Sequence, residues 1–147
     1  MLLTIERVAL LKSIDIFDDT PDYVLASVAR IVEEVELMPG EVLIHEGEPG
    51  NCMYLIIQGE VRAYSGEETI ISLGPGMTVG ELAILDPGPR SASVSAVDDV
   101  FLFRIDKEPF DEVMADRPEI ARAVIRALTQ RVREQGRTIT DSAGNSQ

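Results

Sequence analysis

The chain has 147 residues, with 26 acidic against 13 basic side chains, a net charge of −13 and a 45% apolar fraction. That is the size of one domain, large enough to bury a core, and too apolar for a disordered chain. Such acidity excludes an extended surface that wraps DNA or RNA or adheres to anionic lipid, because phosphates would be repelled.

Residues 1–38 read as helix. A first helix is expected near Leu2–Lys12, followed by a turn around Ile16, Phe17 and Asp18. Thr20 offers a capping oxygen and Pro21 suits the first turn of a second helix. Val24, Leu25, Val28, Ile31 and Val32 then recur at three- and four-residue spacing as one apolar face. Glu33, Glu34 and Glu36 read as the solvated side of that helix.

From Met38, Pro39 and Gly40 the texture changes. Short runs rich in β-formers follow at Val42–Ile44, Met53–Ile57, Val61–Tyr64, Ile70–Leu73, Ala92–Val97 and Val100–Ile105, punctuated by glycines. Regular short strands separated by turn signals indicate a sandwich or barrel. Cys52 is the sole cysteine, so an internal disulfide and a CxxC metal knuckle are excluded. It reads as a small barrel residue and suits a reducing, cytoplasmic setting. His45, the sole histidine, reads as a strand residue near the surface and cannot build a multi-histidine metal centre or a nucleophilic triad. The longest uncharged run, Thr69–Gly80, has 12 residues and is broken by Gly74, Pro75 and Gly76. It falls short of the roughly 20 apolar residues that a membrane span needs.

After Asp106, which can cap a helix through Met114, the helical period returns. Asp116 and Glu119 stand three apart, as in a capping box, at the start of a second helix that is expected to stop at Gly136. The polar tail 138–147 is expected to be disordered.

Chemistry concentrates in the stretch from Val79 to Ala92. It combines a glycine, one turn of apolar helix, an Asp-Pro-Gly-Pro turn and an arginine. Gly80 lets a ligand approach backbone. The N–H groups of Leu82 and Ala83, at the start of the helical turn, are expected to be free anion donors. Arg90 adds a planar fork suited to phosphate oxygens. Glu81, acceptor-only when ionised, suits a sugar hydroxyl. Arg90 is the only base between Arg62 and Arg104, amid Glu67, Glu68, Glu81, Asp86, Asp98 and Asp99. A surface ion pair of Arg90 with Asp86 or Glu81 is the plainer alternative to a ribose-phosphate site.

Val79-Gly80-Glu81-Leu82-Ala83 followed by Arg90-Ser91-Ala92 resembles the phosphate-binding cassette of the cyclic nucleotide-binding domain family. Pro39-Gly40-Glu41, Glu46–Gly50, Met53–Val61 and Leu73–Gly76 resemble the family's glycine-spaced strands, so the likeness covers about residues 8–137. Val79 departs from the phenylalanine frequent in the family. The resemblance implies an α+β, mainly β fold: a double-stranded β-helix or jelly-roll barrel, flanked by N-terminal helices and two C-terminal helices. It divides the chain into N-terminal helices 1–38, β-roll 39–105 and C-terminal helices 106–137. It also implies that Glu81 binds the ribose 2′-hydroxyl beside Gly80 and that Arg90 pairs with the cyclic phosphate. The amides of Ala83 and Ser91 would complete the cradle, with Leu82 and Ala92 as the neighbouring cassette positions. By the same resemblance Ser91 points to cAMP over cGMP as ligand, although its hydroxyl is also able to hydrogen-bond guanine, and no metal is called for.

In the last helix Ile120, Val124, Ala127, Leu128 and Val132 share one face, while Arg122, Arg126, Arg133 and Arg137 share the opposite one. Arg131 projects within the apolar stripe, where a charge needs a partner or an escape. It either stacks on the purine by a cation–π contact or snorkels past the helix end.

The expected function is a non-enzymatic cyclic nucleotide sensor that relays binding through its flanking helices to an effector domain or partner protein outside this chain. A homodimer is left open, and the stretch after Gly136 has no room for a DNA-reading helix-turn-helix. The alternative is a degenerate, non-binding domain of the same fold used for protein interaction.

Overall fold

The computed structural model describes residues 1–145, with side chains at all of these except 81, 82, 135 and 137–145. Helix α1 (Thr4–Leu11), a 3-10 turn (Asp15–Phe17) and helix α2 (Asp22–Ala29) lead into ten strands. These are β1 (Glu33–Leu37), β2 (Val42–Ile44), β3 (Pro49–Gly50), β4 (Cys52–Gln58), β5 (Val61–Ser65), β6 (Glu68–Leu73), β7 (Thr78–Val79), β8 (Gly88–Pro89), β9 (Ser93–Ala96) and β10 (Val100–Asp106). Helix α3 (Glu81–Leu85) is set between β7 and β8, and α4 (Lys107–Asp116) and α5 (Pro118–Asn145) close the chain.

All strand pairings are antiparallel. One sheet has the order β1-β10-β4-β7, the facing sheet β2-β9-β5-β6, and β3 pairs β8. This is the α+β jelly-roll architecture, mainly β, with helices at both ends of the chain.

The two longest strands serve two cores at once. In β4 and β10 alternate residues point to opposite faces. Met53, Leu55, Phe103 and Ile105 meet the helices in a core that includes Leu11, Phe17, Leu25, Phe110, Ile120 and Val124. Cys52, Tyr54, Ile56, Val100 and Leu102 fill the roll interior with Val61, Ala63, Val79 and Val94. Burial on both faces explains why Cys52–Ile56 is a continuous apolar run without alternation.

Several local expectations are corrected. The helical stretch 1–38 ends at Ala29, and Glu33–Leu37 is a strand paired along its length with β10. Glu33, Glu34 and Glu36 therefore lie on a sheet and not on a helix. Pro21 takes the capping position of α2 while Thr20 is buried without capping it. Asp106 stands at the cap position of α4, but its carboxylate accepts from Arg104 Nε at 2.8 Å instead. Asp116 is the last residue of α4; the break falls at Arg117, whose backbone is pushed off the helix by the following proline. Gly136 does not stop α5, which runs on to Asn145, so the tail 138–145 is helical and positions 146–147 lie outside the described residues. A helix interior accepts glycine at a cost of about 1 kcal/mol, and no proline follows to enforce the stop. Val132 is exposed, whereas Ile120 and Val124 are buried as the stripe requires.

Candidate functional site

Arg90 is fixed first through its backbone. Its N–H donates to Glu48 O at 2.8 Å and its carbonyl accepts from Gly47 N at 2.9 Å, extending the β3–β8 ladder. That ladder carries the side chain towards Cys52, the first residue of β4. There Nη2 donates to Cys52 O at 2.9 Å and approaches Cys52 Sγ at 3.3 Å. Two glycines make the room. A Cβ at Gly50 would overlap the Arg90 Nε, Cζ and Cδ atoms, and one at Gly80 would overlap Nη1. Gly80 also has φ +78°, a left-handed backbone that side chains disfavour.

Nη1 of Arg90 is buried and has no hydrogen-bond partner among the described residues. Among the described residues Arg90 forms no ion pair, so the surface pairing with Asp86 is absent although both line one cavity. An unpaired buried guanidinium nitrogen costs free energy until an acceptor reaches it. That cavity, of about 370 Å³, is lined by Gly80, Ala83, Arg90, Ser91 and Ala92 together with apolar Ile44, Ala63, Val79 and Val94. Its size lies within the range of small-molecule sites. One wall is apolar, suited to a flat ring; the other presents an unsatisfied cation.

The cassette departs from expectation in one respect. The Ala83 N–H is not free: it donates to Gly80 O at 3.1 Å, closing the 3-10-type turn that opens α3. Glu81 and Leu82 belong to α3, and their side chains lie outside the described residues.

Arg131 sits apart from Arg90, at a second cavity of about 550 Å³ between the roll and α5 that shares Val79 and Gly80 with the first. Its Nη2 donates to the buried Thr78 Oγ1 at 2.8 Å and lies 4.0 Å from Asp15 Oδ2. Burial pushes the Asp15 carboxyl above its ordinary value, against the opposing pull of Arg131. The charge in the apolar stripe is thus satisfied across the groove between helix and sheet.

A family model described as the cyclic nucleotide-binding domain matches residues 34–117, more than half of the chain. The chain belongs to the cyclic nucleotide-binding domain family. It is 34% identical over 131 residues to the CRP-like cAMP-activated global transcriptional regulator of Mycobacterium tuberculosis, covering 86% of this chain and 58% of that one. It is 36% identical over 104 residues to the cAMP-dependent protein kinase regulatory subunit of Hypocrea atroviridis, covering 71% of this chain and 22% of that one. The Thermus thermophilus catabolite activator protein superposes with a TM-score of 0.77 at 25% identity, over 88% of this chain and 63% of the other. The N-terminal domain of a transcriptional regulator from Streptomyces coelicolor A3(2) gives 0.76 at 30% identity, over 88% and 94%. The first of these relatives is named as a regulator and the second as a regulatory subunit, and the chain spans 58% of the length of the first and 22% of the second.

Within this cyclic nucleotide-binding domain, Gly50, Cys52 and Thr78 are site neighbours that sequence reasoning did not single out. Cys52 is buried in the roll as expected, but its contact with Arg90 spans 38 positions and leaves no local trace. His45 is exposed just past β2. No helix among the described residues is long and apolar enough to cross a membrane.

Proposed function

We propose that this domain is a sensor that takes cAMP in preference to cGMP, with no catalytic step. The observation that carries the reading is the buried Nη1 of Arg90, without a partner among the described residues, at a cavity where a Cβ on Gly80 would overlap it. A cyclic phosphate supplies the missing acceptor, in a charge-assisted, planar geometry that suits guanidinium. Family membership supports Glu81 as acceptor of the ribose 2′-hydroxyl, with Gly80 backbone beside it and Ser91 adjoining the phosphate. Leu82, Ala83 and Ala92 frame the pocket. The Ala83 amide is engaged by Gly80 O, so it joins the cradle only if the turn at Gly80 opens. Arg131, one groove away, moves from Thr78 and Asp15 to stack on the purine.

Binding is relayed by the helices, because a ligand shifts a conformational equilibrium by its differential affinity for the two arrangements. The receiver is an effector segment or a partner protein.

Titration calorimetry with cAMP and cGMP tests the reading. Wild type binds cAMP more tightly, and Arg90→Ala weakens binding by about 30-fold to several-thousand-fold, the effect of removing one member of a buried charge pair. Absence of heat at high micromolar ligand would instead identify a non-binding domain used for protein interaction.

A further inference from the structure

Arg90 has the geometry of an anion hook, yet the carboxylate partner that would ordinarily orient a half-buried guanidinium is missing among the described residues. What orients it is one residue of β4. Nη2 carries two N–H groups. Between them they reach two acceptors on that residue, Cys52 O at 2.9 Å and Cys52 Sγ at 3.3 Å from Nη2. A single contact to the carbonyl would leave the guanidinium plane free to turn about it. A second contact, to an atom of the same residue, sets the plane and turns Nη1 away from β4, where it stays buried and unpartnered.

We infer that the Cys52 thiol is a positioning residue for Arg90, holding its guanidinium so that Nη1 is presented to the anion. This rests on the cyclic nucleotide reading above. Tyr54 lies two residues on from Cys52, and therefore on the same face of β4. Both belong to the roll interior, and both line a small polar cavity with Arg90 and Arg104. Burial first, and then the neighbouring Cys52 thiol, push the Tyr54 hydroxyl up to about 12. Further out, Arg104 is engaged by Asp106 at 2.8 Å and is not available to replace Arg90.

The test separates hydrogen bonding from packing. Cys52→Ala removes the acceptor and keeps a small apolar group; Cys52→Ser keeps an acceptor and is the poorer fit to an apolar interior. Positioning by the thiol predicts that Cys52→Ala weakens cAMP binding about fivefold, the equivalent of one net hydrogen bond, while Cys52→Ser stays within about twofold of wild type. In the Arg90→Lys background Cys52→Ala makes no further difference, because the pair it served is already gone. Serine weaker than alanine, or a full additive loss in the Arg90→Lys background, would overturn the inference in favour of simple packing. A second measurement needs no ligand. In arginine-15N-labelled protein, resolved and slowly exchanging Nη signals, assigned to Arg90 by their loss in Arg90→Lys, are expected to collapse in Cys52→Ala and persist in Cys52→Ser. Signals unchanged in Cys52→Ala overturn the positioning role. If wild type binds no cyclic nucleotide the functional reading falls, and the guanidinium spectra still decide the role of Cys52.

Discussion

Gly80 carries two constraints that act in the same direction: a φ of +78° and the Arg90 guanidinium in the space a side chain would fill. Gly80→Ala is therefore expected to lower stability by about 1–3 kcal/mol through backbone strain and to displace Nη1 from the cavity. Urea denaturation reads the first effect; the second appears as a loss of cAMP affinity of at least about tenfold. Equal affinity in this variant would mean that the guanidinium is not held where Gly80 permits. Arg131 is tested at the same scale. A cation–π contact contributes about 0.5–2 kcal/mol, so Arg131→Ala should weaken cAMP binding by more than twofold in fluorescence or calorimetric titration. An unchanged affinity would leave Arg131 as a latch that engages Thr78 and Asp15.

Among the elements, β1 shows how pairing overrides local preference. Glu33–Leu37 contains three glutamates and a leucine, good helix formers in isolation. Pairing with β10 makes it a strand, and its Glu34 becomes the anchor of the N-terminal helices. Arg7 of α1 donates to Glu34 at 2.9 Å and to Ala29 O at 3.0 Å, while Leu2 N donates to the same carboxylate at 3.1 Å. The Arg7 hydrogen bond, and then the Leu2 amide, hold the Glu34 carboxyl below its ordinary value of 4.5. Because the folded-state value is depressed, this contribution to stability is complete above the ordinary value and is lost as pH falls through the folded one. Glu34→Gln should therefore be less stable than wild type at neutral pH, and the gap should close as pH falls below 4.5. Denaturation midpoints measured across that range check it; a gap independent of pH would remove the ion pair as its cause.

At the scale of the molecule, two cores share the β4–β10 pair, so a push on one face of these strands is felt on the other. Ligand bound between the roll and the helices should stabilise the whole fold. Saturation at 100 times Kd adds about 2.7 kcal/mol, which for a chain of this size is a rise of roughly 5–10 °C in Tm. Scanning calorimetry with and without cAMP measures it, and no shift under saturating ligand would contradict preferential binding to the folded state. Charge is unevenly spread: residues 1–115 hold 22 acids and 7 bases, net −15, and residues 116–147 hold 4 acids and 6 bases, net +2. The basic α5 packs against an acidic remainder, with Arg126 facing Asp19 at 3.3 Å and Arg131 facing Asp15.

What sequence alone determined about this protein was whatever depends on near neighbours. Glycine-bounded runs of β-branched residues marked β2, β4, β5, β6, β9 and β10, the period of 3.6 marked α5, and the resemblance of Val79–Ala92 to a family motif pointed to the candidate site. Tertiary structure alone decided the rest, because those features are contacts between distant positions. Glu34 became a strand residue through β10, Arg131 found Thr78 across 53 positions, and Arg90 found its orienting acceptors in Cys52 across 38. A local pattern records the conformation a segment prefers. The direction in which a buried charge points is set by the few polar atoms that packing brings within reach of it.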